Sequence, residues 1–142
     1  MNTQNETLVR NFYADVWNQG HIDAAGKYYA EDYVDHNPAV PGQPAGLVGA
    51  KVVFSAFLTA FPDLTFTVDQ VVSDGDKIAA RYTAKGKNTG SFVGMPPTGK
   101  SMVVTGIELY RIAGGKVVER WGSFDQFGLM AQLGTIPAPA AS

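Results

Sequence analysis

Apolar residues recur at helical spacing in the first part of the chain and alternate with polar ones in the rest. From Glu6 to Asn18, Leu8, Val9, Phe12, Tyr13, Val16 and Trp17 fall on one stripe, closed by Gln19-Gly20, which predicts an amphipathic helix. Ile22 to Tyr29 predicts a second, shorter helix, supported by Asp23 and alanine content and weakened by Gly26. Tyr33-Val34 predicts a short strand before Pro38, Pro41 and Pro44 impose a loop, a candidate lid. Leu47 to Phe61 returns to helix, with Val52, Val53, Phe54, Phe57 and Leu58 as its apolar face and Pro62-Asp63 as its stop.

Beyond that point the period changes to two. Leu64 to Val72 is rich in β-branched residues, and Ser73 to Asp76 is a turn. Ile78, Ala80, Tyr82 and Ala84 alternate with Lys77, Ala79, Arg81, Thr83 and Lys85, so a two-faced strand pairs back as a hairpin. Gly86 to Lys100 reads as a bulged strand edge followed by a turn at Met95 to Gly99. Met102 to Ile112 is a long strand, joined through Ala113-Gly114-Gly115 to a strand from Lys116 to Asp125. Strict alternation gives this last strand one face of Val117, Glu119, Trp121, Ser123 and Asp125. A carboxylate, an indole and a hydroxyl would then share a wall with apolar groups, the mixture of a small-molecule site. Gln126 to Leu133 is a short closing helix ended by Gly134, after which the chain reads as a frayed tail.

Helices first and a meander afterwards predict an α+β domain, with helices packed on one face of a curved antiparallel or mixed sheet. Gly86, Gly90, Gly94 and Gly106 are candidate bends, and a curled sheet closed by helices makes a cone. The 142 residues fit one domain, assigned to 1–136, with a flexible tail over 137–142. Eleven basic residues scattered among thirteen acids, net charge −2, argue against nucleic acid as a partner. With no cysteine, thiolate chemistry and Cys-ligated metals are excluded. No leader and no run long enough to span a bilayer point to a cytoplasmic protein without a membrane partner. Neither a GxGxxG nor a P-loop is present.

Four segments together carry a resemblance: YVDHNP at Tyr33 to Pro38, FPDL at Phe61 to Leu64, Gly75 to Lys100 ending in PPTGK, and Gly115 to Gly134 with its W-x-x-x-D-x-x-G-L-x-x-Q-L-G pattern. Over nearly its whole length the chain resembles the SnoaL-like polyketide cyclase family. The resemblance implies the cone-shaped fold shared with nuclear transport factor two, scytalone dehydratase, ketosteroid isomerase and limonene epoxide hydrolase. It also implies a bacterial homodimer with no obligatory cofactor. The family's cyclases close a ring of a polyketide ester by intramolecular aldol condensation, with a carboxylate as acid/base. Because one fold hosts many activities, a non-catalytic binding or accessory protein stands as an alternative. Isomerisation and epoxide hydrolysis are further alternatives, the latter weakened because no Arg-x-Asp marks the penultimate strand.

The resemblance places Asp125 at the family's catalytic acid/base position, and an N-cap of the following helix is the competing role. His36 is a candidate to polarise a carbonyl, or else pins the proline-rich loop together with Asp35 and Asn37. A metal at His36 with Asp35 or Asp32 is disfavoured, since neighbours on a strand face opposite ways. Asn88 stands where many relatives carry His; it donates a hydrogen bond but shuttles no proton. Arg81, Glu108 and Glu119 divide between pocket roles and cross-strand pairing. Tyr13, Trp17, Tyr33, Phe54, Phe57, Met95 and Trp121 complete the candidate substrate-binding set, with core packing as the alternative.

Overall fold

The amphipathic stripe of the first segment folds as helix in two pitches. In the computed structural model, which describes residues 3–136, α1 (Thr3–Phe12) runs directly into a wider π-helical stretch, Tyr13–Asn18. The change of pitch turns Tyr13, Val16 and Trp17 inward together. Widened turns of this kind often accompany functional sites. The second helix is shorter than its sequence suggested. A 3-10 segment covers Ile22–Lys27, and Tyr29 already belongs to β1 (Tyr29–Asp35), where the sequence had shown only Tyr33-Val34 as strand. Alanine content favoured helix there, but Tyr29 and Tyr33 bury their rings as strand residues, so packing overrides propensity.

α2 (Gly46–Ala60), β2 (Thr65–Asp74), β3 (Lys77–Lys87) and β4 (Ser101–Ala113) fall within a few residues of their predicted bounds. β5 (Lys116–Phe124) stops one residue short, because Asp125 is the N-cap of α3 (Gln126–Leu133). The strands form one curved, unclosed sheet in the order β1-β5-β4-β3-β2. Pairing is antiparallel except for β1, which lies parallel to β5. Helices cover the concave face. Phe12, Tyr13, Trp17, Phe54, Ile78, Tyr82, Tyr110 and Val117 belong to a single core, with Trp17 stacked on Phe66 at 4.7 Å between ring centres. Each such aromatic pair contributes about 0.5–1.5 kcal/mol beyond its buried area.

α3 is fastened to the sheet by a side chain. β5 pairs with β4 only from Gly106 onward, and beyond that point the Gln132 amide takes the place of a strand. Its Oε1 accepts from Val103 N at 2.7 Å, and its Nε2 donates to Val103 O at 2.9 Å. Gly134 ends the helix in the left-handed conformation, and Thr135 N donates to Met130 O, so the chain stays ordered just past the cap. The tail expected over 137–142 lies outside the described residues. Among the described residues, no helix is long and apolar enough to cross a membrane.

Candidate functional site

An irregularity in β5 decides what the concave face presents. Arg111 pairs with Glu119 but Ile112 pairs with Val117, so Val118 is an extra residue on β5, a β-bulge. A bulge shifts the alternation by one place and re-aims the side chains beyond it. Val117 remains buried in the core, but past the bulge Arg120 and Phe124 line the interior cavity, with Gly122 on the same face. The face that strict alternation would have put inside is divided: Glu119 and Trp121 lie on the convex side.

Arg120 is the centre of a buried charged group drawn from three strands. Its Nη1 donates to Asp35 Oδ1 at 2.7 Å and to the Asn37 carbonyl at 3.0 Å. Its Nη2 donates to Glu108 Oε1 at 3.0 Å. Asp35 is fully engaged, accepting also from Gln43 Nε2, from the Tyr33 hydroxyl and from the Asn37 amide. Glu108 is not. It is 7% exposed, and its Oε2, though 3.0 Å from Arg120 Nη2, has no aligned hydrogen-bond donor among the described residues. Burial pushes its carboxyl up to about 7, against the pull of the Arg120 charge and hydrogen bond and with a further push from Asp35. Burial acts to lower the Arg120 value, but Glu108 and Asp35 outweigh it and hold the guanidinium firmly charged.

This group closes one end of a cavity of about 70 Å³, measured as room for the centres of water molecules, which is space for several waters. Aromatic side chains supply half of its lining residues. Of the candidate substrate-binding residues, Tyr13, Trp17, Tyr33, Phe54, Phe57 and Glu108 line it. Tyr29, Phe61, Phe66, Tyr82, Tyr110 and Phe124 complete the ring of aromatic side chains. Tyr13 and Tyr110 share a 2.8 Å hydrogen bond between hydroxyls. Burial raises the phenol pKa of Tyr13, Tyr29, Tyr33, Tyr82 and Tyr110, so all five stay neutral and able to donate. Ala39, Arg120 and Phe124 also border an outer groove lined by residues 36–43 of the proline-rich loop and by Gln126, which marks the cavity's mouth. Hydrogen bonds from Gly122 N to Asn37 Oδ1 and from His36 N to Arg120 O fix the start of that loop.

Other candidate residues lie elsewhere. Asp125 is exposed, caps α3 by accepting from Gly128 N at 2.8 Å and does not line the cavity. His36 is on the convex side, its ring stacked on Trp121 at 4.6 Å and its Nε2 2.8 Å from Glu119 Oε2. Glu119 also pairs with Arg111, so Trp121, Glu119 and His36 form an outer cluster. Asn88 is buried away from the cavity. Its amide donates to Ala60 O and Gly90 O and accepts from Thr98, knotting the 88–100 connection to the end of α2. Arg81 is exposed on the convex face, and Met95 is 53% exposed at a loop tip.

Sequence reasoning missed Arg120 as a site residue and weighed Asp35 only as a loop pin and as a disfavoured metal ligand. A carboxylate–guanidinium–carboxylate array, judged missing because no Arg-x-Asp motif occurs, is assembled instead from β1, β5 and β4. One signal for it was present. Val117 and Phe124 are both apolar and an odd number of residues apart, which a regular strand with one buried face does not accommodate.

The SnoaL-like polyketide cyclase family model matches residues 7–133. The chain is 29% identical over 140 residues to the aklanonic acid methyl ester cyclase DnrD of Streptomyces peucetius, covering 94% of this chain and 92% of that one. Among solved structures, TsrD from Streptomyces laurentii matches with a TM-score of 0.84 at 28% identity, covering 96% of this chain and 99% of TsrD. Wild-type IdmH from Streptomyces antibioticus matches with a TM-score of 0.79 at 32% identity, covering 92% and 99%.

Proposed function

Since this chain belongs to the SnoaL-like polyketide cyclase family, we propose that it catalyses ring closure of a hydrophobic carbonyl compound with Glu108, rather than Asp125, as the acid/base. The observation that carries this reading is the buried Oε2 of Glu108, which accepts no hydrogen bond among the described residues, inside an aromatic cavity. A carboxyl poised at about 7 is divided between acid and base at neutral pH, which suits a group that must both take and return a proton. Glu108 removes a proton from a carbon beside a carbonyl. The carbanion attacks a second carbonyl carbon of the same molecule, and the new alkoxide takes the proton back from Glu108. No net proton is gained or lost, so one carboxyl suffices. Asp35 holds Arg120, and Arg120 holds Glu108 in register through Oε1, leaving Oε2 to the substrate.

Aklanonic acid methyl ester, named in the relatives, is the first substrate to test. kcat/KM is expected to rise with pH and level off above about 7 as the base form fills. Glu108→Gln is expected to lower it by about 10²–10⁴-fold. A fully active Glu108→Gln would sink the assignment, and tight ligand binding with no turnover in the native protein would favour an accessory role. The same carboxylate–guanidinium–carboxylate array supports a second reading, hydrolysis by a water held at Glu108, and incorporation of solvent ¹⁸O into product separates the two. For the assembly we propose a homodimer through the convex sheet face, where Val72, Ala79, Leu109 and Trp121 pair in one row across four strands and Ile107 is 55% exposed. Ile107→Glu is expected to give monomers in native mass spectrometry; an unchanged dimer would place the interface elsewhere.

A further inference from the structure

Two glycines open neighbouring hollows in the concave face, and each hollow receives one unpartnered polar group. Gly122 pairs across the strands with Glu108, and a Cβ at Gly122 would collide with Glu108 Oε2. Gly106 lies two residues before Glu108 on β4 and pairs with both Tyr82 and Phe124; a Cβ there would collide with the Tyr82 hydroxyl and ring. Gly106 and Gly122 are therefore diagonal neighbours on one face, about 7–8 Å apart by sheet geometry. The Tyr82 ring is fixed by Phe66 at 5.0 Å and Tyr13 at 6.0 Å. Its hydroxyl has no hydrogen-bond partner among the described residues, although the residue is 5% exposed and lines the cavity. Glu108 is the charge that most affects the Tyr82 phenol after burial itself, which agrees with their proximity.

We propose that Tyr82 is a catalytic hydrogen-bond donor whose hydroxyl, laid across Gly106 beside Glu108, binds the substrate carbonyl oxygen that becomes negatively charged when the proton is removed. The assignment rests on the Glu108 reading and deepens it. A neutral phenol held rigidly in an apolar wall needs no reorganisation as charge develops on that oxygen. Glu108 then takes the proton from the carbon while Tyr82 stabilises the oxygen, and the phenol keeps its own proton throughout. The two hollows set the groups on one face as diagonal neighbours, both on the cavity wall, whereas the Tyr13 and Tyr110 hydroxyls are bonded to each other.

The test uses para-nitrophenol, whose anion resembles an enolate and absorbs visible light, bound to the full-length protein. In the wild type the bound probe is expected to shift toward its ionised form. Tyr82→Phe should weaken binding of the anion by about 10- to 100-fold and return the bound probe toward the neutral form. Tyr28→Phe, whose hydroxyl donates to Asp15 Oδ2 outside the cavity, should stay within about twofold of wild type. Gly106→Ala retains the hydroxyl but displaces it, and should copy the loss seen in Tyr82→Phe. Equal affinity and spectrum in wild type and Tyr82→Phe would overturn the proposal, as would a wild-type cavity that leaves the probe spectrum unchanged. A Glu108→Gln variant that keeps both full turnover and Tyr82-dependent probe ionisation would refute the acid/base assignment while leaving the donor in place.

Discussion

The two faces of β5 carry ionic clusters built from almost the same parts. On the concave side Glu108 meets Arg120 and Asp35; on the convex side Glu119 meets Arg111 and His36. Each glutamate touches one arginine, yet their acidities move in opposite directions. Hydrogen bonds from His36 and Arg111 lower Glu119, whereas burial raises Glu108 in spite of its arginine. The surrounding medium decides the outcome, because at Glu108 desolvation outweighs the attraction of the arginine, whereas Glu119 keeps part of its contact with water. The outer cluster thus holds a fixed charge, and the inner one holds a proton that can be exchanged.

Breaking the two arginines should separate the faces most sharply. Arg120→Met leaves Asp35 and Glu108 buried without their shared cation, and is expected to cost about 3–5 kcal/mol in urea unfolding. Arg111→Met, on the partly exposed side, should cost under about 1 kcal/mol. Equal losses would mean that burial is not the distinguishing factor. The pH dependence of stability comes next. Glu108 binds its proton more tightly in the folded protein than in the unfolded chain, so its contribution is fully present below 4.5 and is lost as pH rises to about 7. The decline is on the order of 3 kcal/mol, and Glu108→Gln should flatten that window in unfolding curves while Glu119→Gln leaves it in place. Gly122→Ala crowds the Glu108 carboxylate and should cost about 1–3 kcal/mol with a fall in turnover. The smallest effect is reserved for Asp125→Ala, which should remove about 1 kcal/mol of helix capping and leave kcat within about twofold.

Much of the architecture was legible because it is written in local periods. The alternation in β3 set Ile78, Ala80, Tyr82 and Ala84 on a face of their own, and all four are buried. Gly134 ends α3 where its position after Leu133 said it would. The site was harder to read, because it depends on one extra residue. Without the bulge at Val118, the even-numbered positions of β5 would face out and Arg120 would be a surface charge. Val-Val is ordinary strand sequence, and only the odd spacing of Val117 and Phe124 hints at the shift. The inner array also joins positions 35, 108 and 120, which become neighbours only through the parallel pairing of β1 with β5 and the antiparallel pairing of β4 with β5.

The Gln132 clasp on Val103 has a consequence for how this protein behaves at high concentration. An unpaired stretch of strand is a template onto which another chain can add, and β4 would offer one where β5 ends. A primary amide presents one acceptor and one donor at the spacing of a peptide group, so Gln132 occupies that template from within the same chain. Detachment of α3 would open that template to a strand of another chain.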